Sequence, residues 1–143
     1  MPVLTPDDAR AFLAEHRRGV LATMKSSDGR PQLSNVSYAV VDGLIGVSVT
    51  AGRAKVANVH RDPRVSLHVT SVDFWTYVVA EGDAELSPVS TDPGDATGRM
   101  LLRVYESAAG KPHPDPEEFF QAMVDDRRLL LSFTPTYLYP TTG

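Results

Sequence analysis

The strongest constraint on the fold of this chain is a run of extended segments and turns between residues 20 and 50. Val20 to Lys25 and Pro31 to Val41 have the alternating and β-branched residues of strands, and the tetrapeptide Ser26-Ser27-Asp28-Gly29 between them favours a turn. Asp42-Gly43 is a tight-turn dipeptide between two apolar runs, so we expect Leu44 to Thr50 to fold back as a third antiparallel strand. This antiparallel meander predicts a mainly β domain.

Shorter segments extend the pattern on both sides of the meander. Further strands are predicted for Val65 to Val69, Trp75 to Leu86 and Leu129 to Phe133. Helices are predicted to begin at the cap signal Thr5-Pro6-Asp7-Asp8 and end at Gly19, and to span Gly52 to His60, Asp95 to Ala109 and Glu117 to Asp125. Six or seven strands with few, peripheral helices predict a small antiparallel β-barrel. A length of 143 residues fits a single domain, residues 1–143.

The composition argues against several classes of function. Lysine and arginine together number 14 against 18 aspartates and glutamates, and the formal charge of -4 argues against a nucleic-acid partner. No apolar run approaches the roughly twenty residues that cross a bilayer, so we expect no membrane partner. The chain has no cysteine, and its first residues lack the features of a secretory signal, so we expect a cytoplasmic location.

The residue pattern contains no recognisable side-chain catalyst. The four histidines, at positions 16, 60, 68 and 113, lie on unrelated predicted elements without the spacing of metal ligands, and we expect no metal site. The Gly-x-Ser-x-Gly motif of serine hydrolases and the glycine-rich motifs of nucleotide-binding loops do not occur. The residues alone therefore leave the catalytic residue unassigned.

A local excess of positive charge follows the meander. Four cations and one acid, Asp62, fall between residues 53 and 64; the cations are Arg53, Lys55, Arg61 and Arg64. Arg53 and Lys55 lie where a predicted strand gives way to a helix, and the free N–H groups of a helix start favour an anion such as phosphate. The alternative is a set of solvated charges on a helix end. Arg127-Arg128, after two aspartates, is interpreted as a solvated cluster, with a phosphate or interface role as its alternative.

Two further segments carry unusual side chains. Four polar side chains fall in the second strand of the meander, at Gln32, Ser34, Asn35 and Ser37. They need partners within the barrel or on a ligand, unless this stretch faces solvent. Trp75 and Tyr77 lie two residues apart and are predicted to share a strand face, which fits either a core or interface pair or an aromatic wall beside a flat ring.

Three segments together resemble a known protein family. They are "GVLATMKSSDGRPQLSNVSYAV", "IGVSVTAGRAKVANVHRDPRVSLHV" and "WTYVVAEGDAEL". In residue pattern and in the order of elements the chain resembles the pyridoxamine 5'-phosphate oxidase-like split-barrel flavoproteins. Within that family the chain looks most like the actinobacterial subgroup that uses the deazaflavin coenzyme F420. The segments that carry this likeness are Arg-Pro-Gln-Leu-Ser-Asn-Val, the later Arg-Ala-Lys, and Trp-x-Tyr. The resemblance implies a split β-barrel that forms a homodimer.

The resemblance also implies a coenzyme site at the subunit interface. In similar proteins the coenzyme phosphate is held by a basic pair that corresponds to Arg53 and Lys55. The strand before this pair lines the same pocket, and the polar strand runs beside the ring system, with two more residues nearby. The strand before the basic pair contributes Ser48, Val49 and Thr50. The polar strand contributes Gln32, Ser34 and Asn35, and the two nearby residues are Met24 and Pro31. The resemblance assigns Trp75 and Tyr77 to the site from the partner subunit.

The resemblance implies an F420-dependent oxidoreductase that transfers a hydride between the coenzyme and a small conjugated organic substrate. The cofactor supplies the reactive carbon in such chemistry, and the protein positions and neutralises it. Flavin mononucleotide (FMN) is the alternative coenzyme, but the Gly-Arg-Ala-Lys pattern differs from the Ser-Arg-Lys run of the flavin enzymes. A non-catalytic protein that only binds a flavin or deazaflavin is the second alternative.

Overall fold

Two antiparallel sheets carry the fold, which is described for residues 3–141 by a computed structural model. The helices of this part of the chain are α1 (Pro6–Glu15), α2 (Ala54–Arg61), α3 (Ala96–Ala109) and α4 (Pro116–Asp125). The strands are β1 (Arg18–Met24), β2 (Pro31–Ser37), β3 (Ala39–Val41), β4 (Leu44–Thr50), β5 (Arg64–Thr70), β6 (Tyr77–Asp83), β7 (Glu85–Leu86), β8 (Arg128–Phe133) and β9 (Tyr137–Tyr139). The prediction of a mainly β fold with peripheral helices is confirmed.

The strand order shows how the meander is divided between the sheets. The five-stranded sheet has the order β2-β1-β5-β6-β9, and the four-stranded sheet has the order β3-β4-β8-β7. The strand predicted from Pro31 to Val41 is therefore wrong as one element, because the chain passes from one sheet to the other at Tyr38. The buried Tyr38 hydroxyl donates a hydrogen bond to the Leu13 carbonyl (2.6 Å), which fixes this crossing against α1.

The main core lies between the facing sides of the two sheets. Its central side chains include Leu21, Leu67 and Val78 from the larger sheet and Ile45, Val47, Val49 and Leu131 from the smaller one. Helix α1 closes one side of this core with Ala9 and Leu13. Thr5 caps α1 as predicted, with its Oγ1 accepting from the Asp8 N–H (3.1 Å), but the helix ends at Glu15 because β1 already begins at Arg18.

Helices α3 and α4 cover the outer side of the four-stranded sheet. Leu101, Val104 and Phe119 pack there against apolar side chains of β3 and β8. Gly46 on β4 permits this close approach, since an added Cβ would lie 2.8 Å from the Val104 Cγ2. The helix predicted from Asp95 to Ala109 is present as α3, and Asp95 is its N-cap, because its carboxylate accepts from the Gly98 N–H (2.8 Å). Within residues 3–141 no helix is long and apolar enough to span a membrane.

The predicted strand from Trp75 to Leu86 is wrong at both ends. Residues 71–76 form a tight turn in which the Asp73 carboxylate accepts from the Ser71 hydroxyl (2.6 Å) and the Trp75 N–H (3.1 Å). β6 begins only at Tyr77, and Glu85–Leu86 belongs to the other sheet. Trp75 therefore does not share a strand face with Tyr77.

Candidate functional site

The junction between β4 and α2 carries the predicted basic pair. Gly52, with φ of 90°, turns the chain after β4, and Arg53 occupies the N-cap position of α2. The Arg53 side chain makes no capping hydrogen bond, so the first N–H groups of the helix lack a side-chain acceptor. Arg53 is exposed and Lys55 is half-buried. This end of α2 therefore presents two cations together with the positive end of a helix dipole.

A third cation, Arg128 at the start of β8, joins this pair. Burial lowers the pKa of the Lys55 ammonium below its ordinary value, and the guanidinium groups of Arg53 and Arg128 lower it further. Arg128 pairs in register with Thr50, the last residue of β4. We call Arg53, Lys55 and Arg128 the cation cluster; its positive charges repel one another and favour a bound anion.

Arg128 carries a polar atom that lacks a hydrogen-bond partner. The Arg128 Nε is buried and makes no hydrogen bond, and the Asp126 carboxylate lies 3.9 Å away, outside hydrogen-bonding distance. A buried donor without a partner is energetically unfavourable. The interpretation of Arg127-Arg128 as a solvated cluster therefore holds for exposed Arg127 but not for half-buried Arg128.

The residues of β4 alternate between this site and the core. Ser48 and Thr50 lie on the same side of the strand as Arg128, with Ser48 opposite Leu130 in the ladder. Val49 points the other way and is 1 % exposed in the core. Two of the three residues predicted on this strand thus place their side chains on the side of the cation cluster, and the third contributes only backbone.

The polar residues of β2 separate onto its two faces. Gln32 faces inward, where its Oε1 accepts from the Asn58 Nδ2 (2.8 Å), and the same nitrogen donates to the Thr23 Oγ1 (3.1 Å). Ser34, in register with Leu21, shares this inner face, whereas Asn35 lies on the exposed face. Gln32 therefore finds its partner within the barrel. Asn58 was missed in the sequence, although an asparagine between the apolar residues of α2 was a signal of a buried polar contact.

The remaining predicted residues lie on the outer face of the five-stranded sheet. Met24 and Pro31 are paired in register and border a depression of about 360 Å³ there. Asn35 borders a second depression of about 400 Å³ on the same sheet, beside His68. The Tyr77 ring stacks on His68 with centroids 5.1 Å apart, and Trp75 is 74 % exposed on the preceding turn. Within one chain these side chains belong to a different sheet from the cation cluster.

An apolar cavity of about 260 Å³ opens beside the cation cluster. It lies between the four-stranded sheet and the helices that cover it. Its lining is Ser37, Tyr38, Ser48, Leu101, Val104, Tyr105, Ala108, Phe119, Met123 and Arg128. Arg128 thus belongs both to the cation cluster and to the cavity lining, and the other lining groups are mostly apolar.

The described part of the chain contains no candidate metal-binding site. Residues 3–141 contain no group of three or more histidines, aspartates and glutamates placed to hold a metal ion. Burial raises the pKa of Tyr38, and its hydroxyl is committed to a backbone carbonyl. The arrangement is therefore suited to binding an anion and an apolar group.

Solved structures with the same architecture include proteins of several descriptions. A conserved hypothetical protein from Mycobacterium tuberculosis matches with a TM-score of 0.75 and 28 % identity, over 95 % of this chain and 83 % of that one. An F420 reductase matches with a TM-score of 0.66 and 24 % identity, over 90 % of this chain and 94 % of the other. An FAD-binding protein from Mesorhizobium loti matches with a TM-score of 0.66 and 22 % identity, over 94 % and 90 % of the two chains.

The sequence itself matches one family over almost its whole length. The family described as pyridoxamine 5'-phosphate oxidase matches residues 5–141. That range includes both sheets, all four helices of the described part and the cation cluster. This chain accordingly belongs to the pyridoxamine 5'-phosphate oxidase family and has the fold of its flavin-binding oxidoreductases.

Proposed function

We propose that this protein is an F420-dependent oxidoreductase that transfers a hydride between the deazaflavin coenzyme and a small conjugated organic substrate. The observation that carries the proposal is the cation cluster at the start of α2, in which Lys55 is half-buried and its pKa is lowered by the guanidinium groups of Arg53 and Arg128. A phosphate is the ligand whose charge and oxygens match such a set. The F420 reductase that shares the fold supports the choice of deazaflavin.

Different residues would bind the phosphate and the ring system of the coenzyme. Arg53 and Lys55 would hold the coenzyme phosphate together with the uncapped N–H groups of α2. Asn35, on the exposed face of β2, would hydrogen-bond to the ring system. The bound coenzyme would supply the hydride, which no side chain can provide. The Tyr38 hydroxyl is committed to the Leu13 carbonyl and so would not serve as the proton donor.

The proposal includes a homodimer with coenzyme sites at the interface. The outer face of the five-stranded sheet is left open by the other described elements, and Leu33 on it is 65 % exposed. A second copy of the chain would cover this face. The partner's Trp75 and the partner's Tyr77 would then reach the coenzyme from the other subunit, as the exposed position of Trp75 allows.

FMN is the alternative coenzyme, because the chain belongs to a family with a flavin-binding oxidoreductase fold, and a flavoprotein described as FAD-binding shares that fold. A protein that binds a flavin or deazaflavin without turnover is the alternative to an enzyme. Fluorescence titration of the purified protein with F420 and with FMN separates the coenzymes. Oxidation of reduced F420 in the presence of quinones, enones and nitro-aromatics separates an enzyme from a binding protein.

Substitution of the basic pair tests the site itself. Arg53→Ala and Lys55→Ala should each weaken F420 binding by about 1.5–3 kcal/mol, the contribution of a hydrogen bond to a charged group. Arg127→Ala is the control, because this substitution removes the same charge from a nearby, exposed position. The proposal fails if neither coenzyme binds below about millimolar concentration, where the binding free energy is only about -4 kcal/mol.

A further inference from the structure

The depression that Asn35 borders, on the outer face of the five-stranded sheet, lies where the sheet is incomplete. The ladder between β1 and β5 ends at Val20 and His68, whereas the ladder between β1 and β2 continues to Arg18 and Ser37. We call the space at this end of β1 the Arg18 depression. Its volume of about 400 Å³ is within the range of about 300–1,000 Å³ usual for small-molecule sites.

The Arg18 depression differs in charge from the other depression that borders predicted ring residues. The depression of about 360 Å³ is lined by one arginine, Arg64, and by two acids, Glu81 and Asp83. The Arg18 depression has no acid in its lining. Among the ion pairs of residues 3–141, none includes Arg18. The guanidinium group of Arg18 is therefore free to bind an anionic oxygen.

His68 adds a hydrogen-bonding group beside this arginine. The Tyr77 ring stacks on the imidazole with centroids 5.1 Å apart, and the Thr70 Oγ1 lies 3.3 Å from Nδ1. These contacts orient the imidazole and leave its Nε2 without a partner in the described part of the chain. When the Thr70 hydroxyl donates to Nδ1, the ring proton lies on Nε2, which can then donate to a ligand.

The Arg18 depression adjoins both parts of the proposed coenzyme site. Ser37 lines it and also lines the apolar cavity that Arg128 of the cation cluster borders. The proposed function places Asn35 beside the ring in its own subunit and Tyr77, which stacks on His68, beside the ring in the other. A molecule bound in the depression would therefore lie next to the ring.

We infer that Arg18 and His68 form an oxyanion subsite, and that the substrate is a compact molecule whose conjugated system ends in an oxygen, such as an enone or a quinone. This inference rests on the proposed function and names the substrate class for the same site. The hydride pair forms a new C–H bond at the carbon conjugated with the carbonyl, and the displaced π electrons leave a negative charge on the carbonyl oxygen. The acceptor is thus reduced by two electrons, and its oxygen takes up one proton from the medium. Donors already in place at that oxygen stabilise the charge as it develops.

The subsite can be tested without the coenzyme, with a stable anion in place of the developing one. The probe is 2-fluoro-4-nitrophenol, which is ionised at about pH 8, and its methyl ether is the matched neutral compound. Fluorine NMR titration of the coenzyme-free protein should give a dissociation constant at least about fivefold lower for the phenolate than for the ether. Arg18→Gln should remove this preference. Arg99→Gln should preserve it, because Arg99 is exposed on α3, which covers the other sheet.

A second variant tests the histidine. His68→Ala should reduce the preference about threefold, the contribution of one hydrogen bond. His60→Ala is the control, because His60 is exposed on α2. Circular dichroism and melting temperature verify that each variant is folded.

The position of the bound phenolate can be measured on the unaltered protein. Its addition should shift the backbone amide signals of Gly19 and Val36, which line the Arg18 depression, and should not shift those of Arg53 and Lys55. If Arg18→Gln does not fold, these shifts and the comparison of phenolate with ether still decide the inference.

The outcomes separate this inference from the proposed function. Equal binding of phenolate and ether, a full preference that survives Arg18→Gln or His68→Ala, or signal shifts confined to α2 would overturn the inference even if F420 binds normally. A preference that depends on both residues, with shifts at Gly19 and Val36, supports it. Failure of F420 to bind would overturn the proposed function alone and would leave the Arg18 depression as a site for aromatic oxyanions.

Discussion

The outer face of the four-stranded sheet is covered by helices, and the outer face of the five-stranded sheet is not. The residue patterns of two strands, β8 and β5, reflect this difference. β8, under α3 and α4, has three consecutive buried residues from Leu129 to Leu131, so both of its faces are covered. β5 in the larger sheet alternates strictly, with Val65, Leu67 and Val69 inside and polar side chains outside. In these two strands the continuous apolar run belongs to the covered sheet and the strict alternation to the open one, although β6 of the larger sheet also has three consecutive buried residues, Val78 to Ala80.

The open face nevertheless carries apolar as well as polar side chains. Leu33 and Tyr137 are exposed there, and Val20, Ala22 and Val79 line a depression of about 370 Å³ between them and Tyr139. Polar groups such as Ser66 and His68 are interspersed. A mixture of this kind is typical of an interface that forms between separately folded subunits, where bulk hydrophobicity stays close to that of the surface. The covered face, by contrast, belongs to the core.

The largest expected difference between the two faces is in the free energy of unfolding. Leu101→Ala should destabilise the protein by about 2–5 kcal/mol, because it opens a cavity under α3. Leu33→Ala on the open face should change the stability of the isolated chain by no more than about 0.5 kcal/mol. Urea unfolding at low protein concentration measures both. Equal losses would mean that the face around Leu33 is covered within the chain.

A charge introduced on the open face should weaken the association of two subunits and leave the stability of each subunit unchanged. Leu33→Asp should weaken the proposed dimer by about 2 kcal/mol, or roughly 30-fold, if Leu33 is a buried anchor of the interface. Analytical ultracentrifugation over a range of concentrations measures the shift. Val3→Asp is the control, since Val3 is 54 % exposed but lies outside this sheet. An unaltered protein that is monomeric at every concentration would contradict the dimer.

A smaller effect is expected where the open face meets the proposed coenzyme site. Trp75→Ala should weaken F420 binding about tenfold through loss of an aromatic contact from the partner subunit. The melting temperature of the coenzyme-free protein should not change, because the Trp75 ring is mostly exposed. Val72→Ala on the same turn is the control. A lowered melting temperature with unaltered affinity would assign Trp75 to the fold rather than to the site.

Most of the fold could be predicted from local patterns. Alternation and turn residues predict the hairpin of β1 and β2 and the return of β4 after Asp42-Gly43, and capping chemistry predicts the start of α1 at Thr5. The short strands β7 and β9 could not be predicted this way. A strand of two or three residues has almost no pattern of its own and exists because its partner is already in place.

The candidate site shows the same division between local and long-range information. Arg53 and Lys55 were predicted from the strand, glycine and helix start that surround them. Arg128 could not be placed from its neighbours in sequence, because its position depends on the pairing of β8 with β4, which brings it opposite Thr50. Likewise, a partner for Gln32 required the approach of α2 to β1, which supplies Asn58.

The smallest predicted effect concerns the pH dependence of Lys55. Its pKa in the folded chain is lowered from the usual 10.5, first by burial and then by Arg53 and Arg128. The folded state therefore binds fewer protons at this site than the unfolded chain as the pH approaches 10.5 from below. The unfavourable burial and repulsion of the charged ammonium are fully present at neutral pH and are relieved as Lys55 deprotonates. The contribution of Lys55 to the free energy of unfolding therefore rises with pH in this alkaline window.

A bound phosphate should reverse this preference, because it favours the charged ammonium. F420 affinity should consequently fall as the pH rises through the alkaline range, by severalfold and more steeply than in Lys55→Arg, whose guanidinium stays charged. Fluorescence titration at a series of pH values measures the difference between the two proteins. Parallel curves would place the coenzyme phosphate away from Lys55.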